Sequence, residues 1–147
     1  MANVKFRGKE VLVEGEFPSI GDQAAPFALC GADLTDITLA AYHGQKLVLN
    51  IFPSVDTAVC ALTVKAFNQH AAQLDGVKVL CISADLPFAS ARFCGAEGIK
   101  DVTMVSAFRS PEFMRDYGVA IAQGPLRNLA ARAVICINEQ GKVIYSE

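Results

Sequence analysis

The chain has 147 residues, 52% of them hydrophobic, and a formal net charge of −2. That length and apolar content suit one domain spanning residues 1–147 with a substantial core. Without a basic run the chain has no nucleic-acid signature, no apolar run approaches the ~20 residues of a membrane span, and the N-terminus lacks the apolar centre of a signal peptide, which points to the cytoplasm. The five cysteines are scattered, odd in number and without Cys-x-x-Cys. That pattern describes neither a disulfide scaffold, nor a zinc ribbon, nor a thioredoxin-type dithiol.

Val4 and Phe6, then Val11 and Val13, alternate with polar residues around Arg7-Gly8-Lys9-Glu10, which predicts an N-terminal β-hairpin. Pro18 to Pro26 is a Pro/Gly-punctuated connector, and Phe27–Cys30 and Ile37–Leu39 are short strands about a turn. His43 to Lys46 turns the chain into Leu47–Phe52, a nearly unbroken apolar run that fits a strand covered on both faces. Pro53 cannot donate to a ladder and closes it. Asp56 or Thr57 then caps a helix whose inward stripe is Cys60, Val64, Phe67, Ala71 and Leu74.

Val77–Ser83 is the next strand and completes a right-handed βαβ unit. Asp85 or Ser83 caps the following helix, Pro87 lies in its first turn, and Gly95 and Gly98 end it. A short strand at Val102–Val105, a helix from Pro111 to about Tyr117, a loop over Ala120–Leu129 and a hairpin of Ala133–Ile137 with Lys142–Tyr145 complete the chain. This order suits an α/β thioredoxin-like fold, with a central mixed β-sheet flanked by helices and an N-terminal β-hairpin.

The chemistry concentrates at Cys60. Free N–H groups and the positive end of the helix dipole favour an anion in the first turn, and a thiolate is an anion. The Thr57 hydroxyl, three residues earlier, can bond a thiolate, a bound oxygen or the helix backbone. Equally, Thr57 can be only a cap and Cys60 only a core residue, since free cysteine is often buried.

Pro53, Thr57 and Cys60 form the Pro-x-x-x-Thr-x-x-Cys pattern, and in it the chain resembles the peroxiredoxins. The segment from Ser83 to Cys94, SADLPFASARFC, resembles the resolving-cysteine helix of bacterial thiol peroxidases, the atypical two-cysteine branch of that family. The resemblance implies a peroxidatic Cys60 that attacks hydrogen peroxide or an organic hydroperoxide. Pro53 shields its thiolate and Thr57 orients thiolate and peroxide. Cys94 resolves the sulfenic acid as a Cys60–Cys94 disulfide, and a thioredoxin-type dithiol reduces that bond. The family's activating arginine maps onto Arg132, in Ala130-Ala131-Arg132-Ala133-Val134. The resemblance further implies a homodimer that needs no metal, haem or flavin.

Read without the family, Cys94 lies near a helix end and can be a partnerless cysteine at the solvent edge. Arg132, flanked by alanines before an apolar strand, is either more than a solvated surface charge or a strand-edge salt-bridge partner. Cys81 and Cys136 sit within apolar strands and read as buried and inert, and Cys30 as structural. His43 and His70 read as surface residues, which leaves a Cys–His hydrolase little support. Two rivals remain: a peroxide-responsive redox sensor, and a non-catalytic thioredoxin-like interaction domain. The thiol peroxidases continue past the final strand into a C-terminal helix, and the chain stops at Glu147, so either truncation or a tail beyond Glu147 is expected.

Overall fold

The computed structural model describes residues 2–6, 9–71, 73 and 76–147, with backbone alone for 2–6 and 9–11. Leu74 of the inward stripe and Arg7-Gly8 of the hairpin turn lie outside the described residues. In chain order the strands are β1 (Ala2–Phe6), β2 (Lys9–Glu14), β3 (Ala28–Gly31), β4 (Asp36–Thr38), β5 (Lys46–Ile51), β6 (Val77–Ser83), β7 (Thr103–Ser106), β8 (Ala120–Ile121), β9 (Ala133–Ile137) and β10 (Val143–Ser146). The helices are α1 (Ala58–Ala71), α2 (Pro87–Glu97) and α3 (Glu112–Asp116), and Leu39–Tyr42 forms a 3₁₀ turn ahead of β5.

Seven strands form one mixed sheet in the order β10-β9-β5-β6-β7-β3-β4, and β1-β2-β8 form a second, three-stranded sheet. At the centre β5, β6 and β7 run parallel, with Leu49 beside Leu80 and Ile82 beside Val105. Parallel neighbours need crossovers, and α1 and α2 supply them on one face. Period-two alternation splits β5 between two cores. Leu47, Leu49 and Ile51 face a larger cluster with Leu80, Ile82, Ile135 and α3's Phe113. Val48 and Phe52 face a smaller one with Cys60, Val64, Val79, Cys81 and Phe93. The expected strand covered on both faces is therefore present. The stripe on α1 is present too: Cys60 and Val64 are buried, and Phe67 and Ala71 pack against the same cluster.

Four local expectations change. Residues 120–129 are not wholly a loop, because Ala120 and Ile121 pair with Glu14 and Val13. Gly95 lies within α2, and Gly98 alone caps it, in the left-handed conformation at φ 66°. Neither Asp85 nor Ser83 caps α2; Leu86 holds the N-cap position without a side-chain cap hydrogen bond. Cys136 is half-buried rather than buried. Its neighbours Ile135 and Ile137 take the core face of β9, so alternation turns Cys136 to the other side.

The smaller sheet is fastened to the domain by close backbone contact. Gly15 ends β2 at φ 89°, and Gly118 follows α3 at φ 66°. A Cβ on Gly15 would collide with the Arg115 carbonyl, and one on Gly118 with the backbone of Glu16 and Phe17.

Candidate active site

The loop leaving β5 builds the site. Phe52 still donates its N–H to the Ile82 carbonyl at 3.0 Å, and half-buried Pro53 then takes the chain off the sheet. Of the two candidate caps the structure uses Thr57. Its Oγ1 accepts the Cys60 N–H at 3.4 Å and donates to the Ser54 carbonyl at 3.0 Å. One hydroxyl thus ties the loop to the first turn of α1. Cys60, three residues past the cap, is only 2% exposed and packs among Phe52, Val55 and Val64. The thiol thus stands in the first turn of a helix, nearly closed off from water.

A residue read from the sequence as a cap braces this loop. The Asp85 carboxylate accepts the Ser54 hydroxyl at 2.7 Å, the Val55 N–H at 2.7 Å and the Ser83 hydroxyl at 2.8 Å. Its own carbonyl accepts the Ser106 hydroxyl. The sequence signal was the Ser-x-Asp step leaving a strand, but its partners lie some thirty residues earlier. On the solvent side Arg92 of α2 meets Asp56 of the loop at 2.9 Å.

Cys94 lies on the same side of the sheet. It is half-buried near the end of α2, against the cluster that contains Cys60. Its carbonyl accepts the N–H groups of Gly98 and Ile99. Burial pushes the Cys94 thiol above its ordinary range. Fully buried Cys81 is pushed up to about 12 by burial, partly opposed by the Asn50 amide 3.6 Å from its sulfur. Burial likewise raises Cys136. All five cysteines are free thiols.

Arg132 approaches from β9. Ala133 pairs with Ile51, and the antiparallel register carried on by one residue sets Arg132 against Phe52, one step before Pro53. Its flanks Ala131 and Ala133 are buried, but Arg132 itself is exposed. It has no carboxylate partner among the described residues, whereas Arg92 and Arg109 are engaged with Asp56 and Asp36. The alternative of a strand-edge salt bridge finds no carboxylate partner for Arg132 among the described residues. The structure therefore gathers Pro53, Thr57 and Cys60 on one loop and helix start. Arg132's backbone stands beside that loop, and Cys94 lies on the neighbouring crossover helix.

His43 and His70 are exposed. Among the described residues, no three His, Cys, Asp or Glu side chains converge to hold a metal ion, and no helix is long and apolar enough to cross a membrane.

Comparison with known proteins gives the family of the chain. The Redoxin family model matches residues 17–147. Over all 147 residues the chain is 52% identical to the thiol peroxidase of Corynebacterium glutamicum, covering 88% of that protein. The crystal structure of a peroxiredoxin-like protein from Aquifex aeolicus superposes with a TM-score of 0.94 at 37% identity, over 99% of this chain and 84% of that one. The thiol peroxidase from Chromobacterium violaceum superposes at 0.90 with 26% identity, over the same shares of 99% and 84%. The chain belongs to the Redoxin family, among the peroxiredoxins of bacterial thiol peroxidase type, and its class of chemistry is thiol-dependent reduction of peroxides.

Proposed function

We propose that this chain, acting as a single domain, reduces hydrogen peroxide and organic hydroperoxides through a Cys60 sulfenic acid and an intramolecular Cys60–Cys94 disulfide, which a thioredoxin-type dithiol recycles. The observation that carries the reading is the enclosed Cys60 in the first turn of α1, capped by Thr57, with Cys94 packed against the same cluster.

In the first step the Cys60 thiolate attacks one peroxide oxygen. The S–O bond forms as the O–O bond breaks, and sulfur is oxidised by two electrons. The leaving oxygen takes a proton and departs as water or an alcohol. Negative charge moves from sulfur to that oxygen, and a fixed cation lowers the barrier. Arg132, without a carboxylate partner beside Phe52 and Pro53, is the candidate cation. Pro53 limits water at the sulfur, and the Thr57 hydroxyl orients thiolate and peroxide.

In the second step the Cys94 thiolate attacks the Cys60 sulfur, and hydroxide leaves as water. The protein must move to permit this. Both helices start from the C-terminal edges of parallel strands, with Cys60 three residues past Thr57 and Cys94 eight past Leu86. At 1.5 Å per residue the axial offset is roughly 7.5 Å before any gap between the helix axes is added. A disulfide wants Cα atoms within about 7 Å in total, so at least one helix end unwinds locally. In the third step a dithiol exchanges with the bridge and leaves as a disulfide, restoring both thiols. The same reading takes the protein as a cytoplasmic homodimer without nucleic-acid or membrane partners.

The test is peptide mass spectrometry after one equivalent of cumene hydroperoxide, on the wild type and Cys94→Ser. The expected products are a Cys60–Cys94 bridge in the first and an oxygen adduct on Cys60 in the second. Sustained peroxide consumption with a thioredoxin system then separates an enzyme from a redox sensor. If Cys60 stays reduced while the other thiols oxidise slowly, the reading fails.

A further inference from the structure

Resting on the peroxidase reading, we propose that Asp85 is a positioning residue that sets the balance between peroxide attack and disulfide closure, by holding the Cys60 loop in its folded form. The carboxylate joins the two loops that lead into the two cysteine helices. Ser54 and Val55 belong to the loop entering α1, which reaches Cys60 five residues beyond Val55. Asp85 itself stands two residues before Pro87, where α2 begins, and Ser83 and Ser106 anchor it to the ends of β6 and β7. Ser54 passes the tie onward, since its hydroxyl accepts the Asp56 N–H at 3.1 Å and its carbonyl accepts the Thr57 hydroxyl that caps Cys60.

The opposing requirements of the two steps give this brace its consequence. Peroxide attack needs the capped helix start, whereas disulfide closure needs it undone. Three donors on one partly buried carboxylate form charge-assisted bonds. The other tie across this gap, Asp56–Arg92, is exposed on both sides and contributes little. Opening the first turn of α1 therefore proceeds chiefly through release of Asp85.

An amide in place of the carboxylate keeps the shape but loses acceptor capacity for three donors. In Asp85→Asn, sulfenic acid formation, followed by rapid mixing in a Cys94→Ser background, should slow by about tenfold, the factor of roughly one hydrogen bond to a charged group. With Cys94 present, closure of the bridge should quicken, and the fraction of Cys60 lost to sulfinic acid at high peroxide should fall. Ser54→Ala, which removes one loop donor, should move both rates the same way by less, and Ser83→Ala, whose donor lies outside the loop, least of all. This ordering covers the case in which Asp85→Asn fails to fold.

A merely structural role would lower the melting temperature in all three variants and leave the ratio of the two rates unchanged. That result, or a change of both rates in the same direction, overturns the brace. Should the wild type itself form no Cys60 sulfenic acid, both the peroxidase reading and the brace fall. A reactive wild type with an unaltered rate ratio in the variants sinks the brace alone.

Discussion

Cys60 and Cys94 are two thiols in one hydrophobic cluster, set at opposite ends of their helices. Cys60 occupies the first turn of α1, where free N–H groups gather and Thr57 fixes the backbone. Cys94 occupies the final turns of α2, where the carbonyl end of the helix dipole disfavours a thiolate and burial raises the thiol further. One helix start and one helix end thus give two like side chains unlike chemistry. The first has a helix start and a capping hydroxyl beside it, and the second has a helix end and a thiol raised by burial.

Removing each thiol in turn should break this comparison most sharply. Cys60→Ser should reduce peroxide consumption to background, because no other thiol combines enclosure with a helix start. Cys94→Ser should spare the first oxidation, seen as one stoichiometric oxygen adduct, and abolish thioredoxin-linked turnover. Equal effects of both changes on the first oxidation would end the division of labour.

Arg132→Gln comes next. Loss of the candidate cation should slow the first step by about 100-fold, the usual cost of removing one preorganised stabiliser of developing charge, with bridge closure unaffected. Stopped-flow mixing with cumene hydroperoxide measures the two steps separately. A change under about twofold would mean that the exposed guanidinium takes no part.

Changing pH sharpens the contrast. Because the Cys94 value is raised, its thiolate is scarce at neutral pH, and closure should accelerate by nearly tenfold per pH unit from about 7 to 9. Cys81 has a matching effect on stability. The unfolded thiol ionises near 9.0 and the buried one near about 12, so above pH 9 the folded chain holds the proton that the unfolded chain has released. Its contribution to stability is complete below pH 9 and declines by about 1.4 kcal/mol per pH unit above it. Denaturant melts at pH 8 and pH 10 of the wild type and Cys81→Ala would reveal that share.

The smallest effect belongs to Thr57→Val, which deletes the cap yet keeps the shape. It should lower stability by about 1 kcal/mol and slow the first step several-fold, whereas Thr57→Ser should recover both. Equilibrium melts alongside the rapid-mixing assay would detect it.

Much of this arrangement was legible in the residues themselves. The apolar run of β5, the proline that ends it and the α1 stripe are local patterns, and they alone place Cys60 at a helix start. The expected limits of β6 and β9 coincide with those found. What escaped depends on distant partners. β8 is two residues long and exists because β2 borders it, so periodicity had nothing to register. Asp85 has the local surroundings of a helix cap, and only folding brings the 54–55 loop to its carboxylate. Cys136 has apolar neighbours in sequence, while strand alternation puts its side chain opposite theirs.

The backbone contact between Gly15 and Gly118 also constrains the order of events at the ribosome. β2 finds its partner β8 only after residue 121 has emerged, and β3 waits for β7. β1–β2 and β3–β4 pair locally as hairpins, but their outer edges have no partner until β8 and β7 have been made. The β5-α1-β6 unit, which already holds Cys60, is thus complete in the growing chain before the strands that receive β2 and β3 exist.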